Sequence, residues 1–318
     1  MPASPRPGKN WIAALSLTIC AMLLALIHLY RPQGTGLWME TFTNSVHVPV
    51  FALIALGLFV ALRSLTKLRF WGCVAVTTAL ALLLAALSEV AQISGPRDAS
   101  LEDMIADWLG SISMLTLIIA FSRRSKLERQ ARAFWAIAGI IVISMALKPL
   151  ILVSVAYVER NRHVPVLFNF EVPLSQTFLR LQNSTLEIID HPSGRQKIGE
   201  VTFESGPWPG LIFHDMWPNW SDYSFLVIEL AIDGSQPLEI HIRVHDWIHT
   251  LGSQPYNDRF NLSYTLQNGS QITRIPLDEI RAAPSNREMD LSRIHGMVVF
   301  ATRAEAGRSF ELVEIRLE

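Results

Sequence analysis

Acidic side chains stand close together between residues 88 and 110, where two strongly apolar runs meet. Glu89 and Gln92 close the first run, and Asp103 and Asp107 open the second. Each pair is three or four residues apart, so its members share one face of a helix. An ionised carboxylate at mid-bilayer costs roughly 2.5–3.5 kcal/mol on the insertion scale. Such residues therefore indicate binding or catalysis.

Basic and polar side chains complete this polar set. Arg97 lies in the loop between the two runs, His47 opens an earlier apolar run, and Lys148 lies inside the last one. Carboxylates beside an imidazole could transfer protons, and Arg97 could bind a phosphate group. The structural alternatives are a helix cap at Asp103, an ion-pair network without a ligand, and outward snorkelling of Lys148.

The N-terminal half predicts five membrane-spanning helices. The segment LIHLYRPQ, at the end of the first run, has no small-x-small cleavage site, so we expect an uncleaved anchor. The five runs define a predicted membrane domain over residues 1–157. Each is long enough to cross the hydrocarbon core of a bilayer. They extend from Trp11 to about Tyr30 and over residues 46–62, 71–91, 104–122 and 134–157.

Charges in the connecting loops predict the orientation, because cytoplasmic loops are enriched in Lys and Arg. Ten basic residues fall on one side and two on the other. We therefore expect an inner (cytoplasmic) membrane protein with a cytoplasmic N-terminus and an extracytoplasmic segment after residue 157. This orientation brings the polar set to the outer face. The ten are Arg6, Lys9, Arg63, Lys67, Arg69, Arg123, Arg124, Lys126, Arg129 and Arg132, and the two are Arg31 and Arg97.

Residues 45–122 resemble the VanZ-like family of bacterial membrane proteins. In that family a His opens one hydrophobic segment, Glu and Gln end the next, and an Arg-containing loop precedes a D-x-x-x-N-x-x-G pattern. Asp107 stands where the family usually has Asn. The resemblance implies a cell-envelope protein, and one family member is associated with glycopeptide tolerance, but it implies no reaction. The matching residues are His47, Glu89, Gln92, Arg97, Asp103 and Gly110.

In the C-terminal half the hydrophobic period changes to two. Within PLEIHIRVHDW, Leu238, Ile240 and Ile242 alternate with polar residues, as in a strand with one buried face. Residues 158–165 are predicted to be a linker, and residues 166–318 a β-sandwich or jelly roll of many short strands. The other predicted strands are VLFNFEV, TFLRL, TLEIID, YSFLVIEL, RFNLSYTL, GMVVFAT and FELVEIRL.

The order of these segments resembles the galactose-binding-like jelly rolls of carbohydrate-binding modules. The resemblance covers nearly all of residues 166–318 and implies a glycan as partner. The last strand of those modules usually ends with Asp, where this chain has Glu314. We therefore expect no bound cofactor, with a calcium ion in the jelly roll as the alternative that the resemblance leaves open.

Aromatic residues of the C-terminal half could stack on sugar rings, since an aromatic face packs against the C–H groups of a saccharide. The candidates are Trp208, Trp217, Trp220, Tyr223, Trp247 and Tyr256. Trp247 is the leading candidate, because it ends a predicted strand. Arg259 is a candidate polar partner, and core packing is the competing role for each Trp. The predicted glycan-binding set comprises Trp220, His245, Asp246, Trp247, Tyr256 and Arg259.

Several kinds of site are not expected. His241, His245 and His249 are four residues apart on a predicted strand, which separates neighbours by about 13 Å. That separation is too large for one zinc ion. The sequence has no Gly-rich phosphate loop, nucleophile elbow or CxxC motif. A net charge of −1 argues against a nucleic-acid partner.

The sequence thus predicts a five-helix membrane domain followed by an all-β jelly roll. The expected function is binding of a glycan or a lipid-linked envelope precursor, with membrane lipid as a further partner. The alternatives are a membrane enzyme that modifies a lipid-linked saccharide, with Glu89 or Asp107 as base, and a protein-interaction module on a membrane anchor. The predicted outer-face polar pocket comprises His47, Glu89, Gln92, Arg97, Asp103, Asp107 and Lys148.

Overall fold

A computed structural model describes residues 10–29, 36–93, 101–191, 194, 196–302 and 305–318. The chain forms two compact units, Met1–Ile151 and Leu152–Glu318. We call them the helical unit and the β unit.

Within the described ranges, five helices are long and apolar enough to cross a membrane, as predicted. The last of them continues past the predicted end of the membrane domain. Its final turn, in residues 158–162, was predicted as linker; there Glu159 and Arg162 form an ion pair of 2.9 Å, a spacing that supports a helix. The helices are α1 (Asn10–Leu29), α2 (Leu37–Leu65), α3 (Phe70–Ile93), α4 (Leu101–Phe121) and α5 (Arg129–Arg162).

In the helical unit, α2 packs against α1, α3 and α4. Gly110 lets α4 approach the backbone of α2, because a Cβ atom at this position would lie 2.2 Å from the carbonyl oxygen of Val48. The Ser111 hydroxyl donates to the carbonyl of Phe51 at 3.5 Å along the same contact. This close approach brings the polar start of α4 beside His47 of α2.

In the β unit, the end of α5 is followed by two antiparallel sheets and the short helices α6 (Trp247–Leu251) and α7 (Leu277–Ala282). The all-β sandwich predicted from the sequence is confirmed. The strands are β1 (Val166–Asn169), β2 (Leu179–Gln182), β3 (Ser184–Asp190), β4 (Lys197–Phe203), β5 (Gly210–His214), β6 (Phe225–Ile232), β7 (Leu238–Asp246), β8 (Phe260–Leu266), β9 (Gly269–Pro276), β10 (Ile294–Phe300) and β11 (Ser309–Leu317).

The strand order differs from the chain order in both sheets. The six-stranded sheet runs β3-β4-β11-β6-β9, with β1 also paired to β11, and the five-stranded sheet runs β2-β5-β10-β7-β8. The order places β5, β10 and β7 side by side, although long segments of chain separate them. Residues far apart in sequence therefore share one sheet face.

The inner face of the five-stranded sheet supplies half of the sandwich core. On β7, Leu238, Ile240, Ile242 and Val244 are buried, as the period of two predicts. The intervening side chains must then lie on the opposite side of the sheet, which we call the outer face.

Candidate functional site

A groove of about 250 Å³ lies on the outer face of the five-stranded sheet. Residues of four strands and of two connecting segments form it, so it depends on the sheet order and not on one sequence motif. Its lining residues are Gln182 of β2, Trp208 before β5, Ile212 of β5, Arg243 of β7, Tyr256 and Arg259 before β8, and Val298 and Phe300 of β10.

Two aromatic rings of the groove are open to solvent. The side chain of Trp208 is 58% exposed and that of Tyr256 is 71% exposed. Trp208 meets the edge of Phe300 with ring centroids 5.9 Å apart. Its φ angle of 53° lies in the left-handed region, and Gln182 Nε2 donates to its carbonyl at 3.0 Å. The local backbone therefore holds an exposed indole beside the groove.

Two arginines line the groove. The guanidinium of Arg259 lies 5.0 Å from the centre of the Tyr256 ring, and its Nε donates to Asn261 at 3.1 Å. Arg243 is half-buried, and its Nε is buried without a hydrogen-bond partner in the part of the chain that the structure describes. Burial lowers the pKa of Arg243, and the charge of Arg259 lowers it further.

Two histidines of β7 flank Arg243 on the outer face. The His241 ring packs at 5.2 Å from Phe300, and its Nδ1 is hydrogen-bonded to Ser263 at 2.9 Å. Among the described residues, His241 Nε2 and His245 Nδ1 are buried without hydrogen-bond partners. Burial, followed by the charge of Arg243, lowers the pKa of His245 to about 3. Successive outward residues of one strand thus carry unsatisfied polar atoms.

The segment that carries Tyr256 and Arg259 is tied to β7 by Arg287. Arg287 Nε donates to Asp258 at 2.6 Å, and its Nη2 donates to Asp246 at 2.8 Å. Burial alone would raise the pKa of Asp246, but hydrogen bonds from Arg287 and from backbone N–H groups hold it below its usual range. This bridge fixes the position of both groove residues.

The structure separates the predicted glycan-binding residues. Tyr256 and Arg259 lie in the groove. Trp247 begins α6, and its ring lies 4.7 Å from the ring of His295 at a tilt of 55°, in a second cavity of about 380 Å³ that shares no lining residue with the groove. The prediction that Trp247 and Arg259 act together is therefore corrected, because α6 turns Trp247 away from β8.

Two other predicted residues serve the fold. Trp220 is 0% exposed, and its Nε1 donates to the carbonyl of Trp217 at 2.7 Å, so the indole is a core side chain without a face for a sugar. Asp246 is fully buried and caps α6 by accepting a hydrogen bond from the His249 N–H at 3.0 Å. Both predictions are corrected on grounds of burial.

The calcium alternative finds no support at Glu314. Its carboxylate accepts hydrogen bonds from Asn169 at 3.1 Å and from Arg316 at 3.2 Å. These donors occupy the oxygens that would have to face a cation.

The helical unit brings four of the predicted polar residues together in a His–carboxylate cluster: His47, Glu89, Asp103 and Asp107, all buried. His47 Nδ1 is hydrogen-bonded to Asp107 Oδ1 at 2.9 Å, and its Nε2 lies 4.0 Å from Asp103. One ligand atom each from His47, Glu89 and Asp107 lies within 4.8 Å of the others. Such a donor set can exchange protons or coordinate a divalent cation.

A cavity of about 510 Å³ adjoins this cluster through Asp103. It lies between α2, α4 and the part of α5 that belongs to the helical unit. Among the described residues, its polar lining is acidic or neutral: Glu40, Thr41, Asn44, Ser45, Glu102 and Asp103.

Three residues of the predicted pocket remain: Gln92, Arg97 and Lys148. Lys148 is exposed and does not line the cavity. The side chain of Gln92 and all of Arg97 lie outside the described residues.

Sequence reasoning left Gln182, His241, Arg243 and Phe300 out of the predicted glycan-binding set. The alternation in PLEIHIRVHDW already assigns His241 and Arg243 to the solvent side of β7. The alternation does not show which strands lie next to β7, and it is the sheet order that brings Gln182 and Phe300 to the groove.

No protein-family model matches the sequence, and no curated protein matches it. Solved structures with some likeness include an exo-β-agarase (16% identity, TM-score 0.39, 48% of this chain and 24% of that chain). A family 11 carbohydrate-binding module from Clostridium thermocellum, in complex with a β-1,3-1,4-mixed-linked tetrasaccharide, shows 15% identity and a TM-score of 0.38 over 48% of this chain and 93% of that chain. This chain therefore spans about a quarter of the length of the agarase.

Proposed function

We propose that the protein is a membrane-anchored glycan-binding protein whose groove on the β unit holds a saccharide. The observation that carries the proposal is the pair of exposed rings, Trp208 and Tyr256, beside buried polar atoms that lack partners. Sugars present C–H faces to aromatic rings and hydroxyl groups to polar atoms. A groove that offers both kinds of contact suits a saccharide.

The size of the groove favours part of an extended chain. At about 250 Å³ it is smaller than the roughly 300–1,000 Å³ of enclosed small-molecule pockets. An open surface of this kind lets the ends of a polymer continue past the contact residues.

The experiment is a glycan array followed by calorimetry, with the full-length protein in nanodiscs. Trp208→Ala and Tyr256→Ala should each weaken binding by about three- to tenfold, since a stacked aromatic contact contributes about 0.5–1.5 kcal/mol beyond its buried area. Trp247→Ala, in the other cavity, is the matched control and should bind as the unaltered protein does.

Melting temperatures of the three variants separate loss of binding from loss of fold. If Trp247→Ala alone abolishes binding, the second cavity is the saccharide site and the groove is not.

We propose further that the helical unit anchors the β unit in the inner membrane and that its acidic cavity receives the polar headgroup of a lipid. The supporting observation is the carboxylate of Glu40 in the cavity lining, which suits an amine better than a phosphate. This differs from the phosphate contact that Arg97 alone would favour.

A further inference from the structure

We infer that the groove recognises an anionic saccharide, one that carries carboxylate, sulfate or phosphate groups. The inference rests on the proposed function and names the chemical class of its ligand. Stacking on Trp208 and Tyr256 cannot distinguish neutral from charged sugars, because both offer the same C–H faces. A preference for a charged saccharide must therefore come from the polar groups of the groove.

The first observation is that the groove arginines have no acidic partner. Within the described chain, no carboxylate lies within ion-pair distance of Arg243 or Arg259. Several other arginines of the β unit do have one, although Arg160, Arg180 and Arg293 do not within the described chain. These ion pairs are Arg274–Glu318, Arg281–Asp278, Arg287–Asp246, Arg308–Glu305 and Arg316–Glu314.

The second observation is that the unpaired charges are partly desolvated. The buried Nε of Arg243 lacks a partner, and the neighbouring Arg259 repels it. Two like charges that have left water without a counter-charge destabilise the fold. An anion bound between them would remove both costs, and the planar guanidinium offers two parallel N–H donors to a carboxylate, sulfate or phosphate group.

The third observation is the balance of charge on the outer face. Arg180 of β2 faces outward, because it pairs in register with Ile212 of the groove, and it is exposed. Glu239 is the acidic residue among the outward side chains of β7, and it lies 4.0 Å from His241 rather than beside the arginines. The face around the groove is therefore positive, although the whole chain is nearly neutral.

The test compares charged polymers with their neutral counterparts on the full-length protein in nanodiscs at low salt. The probes are polygalacturonate against its methyl ester, carrageenan against agarose, and a phosphorylated mannan against unphosphorylated mannan. We expect at least one charged polymer to bind tenfold or more tightly than its neutral counterpart. Arg243→Gln should lower that binding about tenfold and leave the neutral polymer unaffected, whereas Arg281→Gln, which removes an exposed and paired arginine, should change neither.

Arg243→Lys keeps the positive charge but loses the paired N–H donors of the guanidinium. Its affinity for the charged polymer should therefore fall between those of the unaltered protein and Arg243→Gln, with an unchanged melting temperature. If a neutral polymer binds as tightly as its charged counterpart and Arg243→Gln has no effect while Trp208→Ala does, the inference is wrong and the proposed function stands. If neither Trp208→Ala nor Tyr256→Ala affects any saccharide, the proposed function fails and the inference fails with it.

Discussion

Side chains two residues apart on β7 share the outer face but differ in charge. Arg243 remains a cation, because a guanidinium is not deprotonated in proteins. His245 is neutral at pH 7, because burial and the nearby Arg243 lower its pKa to about 3. A charged imidazole there would add a third cation to the pair formed by Arg243 and Arg259. The neutral ring leaves the two arginines as the charges that face the groove.

The lowered pKa of His245 predicts that the β unit loses stability in mild acid. An ordinary histidine titrates near pH 6.5. Below that pH the unfolded chain binds a proton that the folded chain does not, so stability is fully present above about pH 6.5 and declines as the pH falls toward 3.

His245→Gln removes this proton uptake and should flatten the decline. The measurement is urea unfolding of the full-length protein in detergent between pH 7.5 and 4.5, followed by tryptophan fluorescence. His163→Gln, at an exposed position, is the control. Parallel pH profiles for the unaltered protein and His245→Gln would contradict the assignment.

At the scale of elements, the contact between α2 and α4 creates the acidic cavity. Asp103, Asp107 and Gly110 lie on one face of α4, and the missing side chain of Gly110 lets that face reach α2. The carboxylates are thereby held beside His47 rather than exposed to the surroundings of the helix.

This arrangement predicts a preference for a lipid with an amine headgroup. Purified protein should retain phosphatidylethanolamine over phosphatidylglycerol in native mass spectra, and Asp103→Asn should reduce that preference several-fold by removing one carboxylate from the cavity wall. Glu128→Gln, an exposed change just before α5, should leave it intact. Equal retention of the two lipids by the unaltered protein would argue against a headgroup site.

The elements themselves were largely predictable, because their signals are local. Long apolar runs gave the five helices, and strict alternation gave strands such as β7. The local sequence patterns do not predict β4, β5, β9 or α6. β9, GSQITRIP, is an edge strand with mostly polar residues, and β5 has only five residues. The strand pattern of β7 appears to continue past Asp246, but Asp246 caps the N-terminus of α6, and the helix begins there.

The site was predictable only in part, because it depends on sheet order. Tyr256 and Arg259 were proposed from residue type and do lie in the groove. Nothing in the spacing along the chain brings Gln182 beside Trp208, or Phe300 beside His241. Those neighbours arise from the order β2-β5-β10-β7, which local patterns do not encode.

At the scale of the whole molecule, the proposal requires the β unit to face away from the cytoplasm, where envelope glycans are found. Ten basic residues against two in alternate loops predict this orientation. Alkaline phosphatase fused after Glu318 should therefore be active. Green fluorescent protein fused at the same position should not fluoresce, because it does not fold when it is exported through the Sec pathway.

The same reporters fused after Lys67, in a loop predicted to be cytoplasmic, should give the reverse pattern. Bright fluorescence from the fusion after Glu318 would invert the predicted topology and remove the β unit from the compartment of its proposed ligand.

Trp208 is a position where folding and binding favour different residues. A bulky side chain in the left-handed region, directly before Pro209, adopts a backbone conformation that glycine reaches far more readily. Residues in such conformations cost of order 1–3 kcal/mol and persist where the surroundings impose them. Selection for stability alone would therefore favour glycine at position 208. Variants of this protein that no longer encounter their saccharide should lose the indole early, well before they lose the sandwich that displays it.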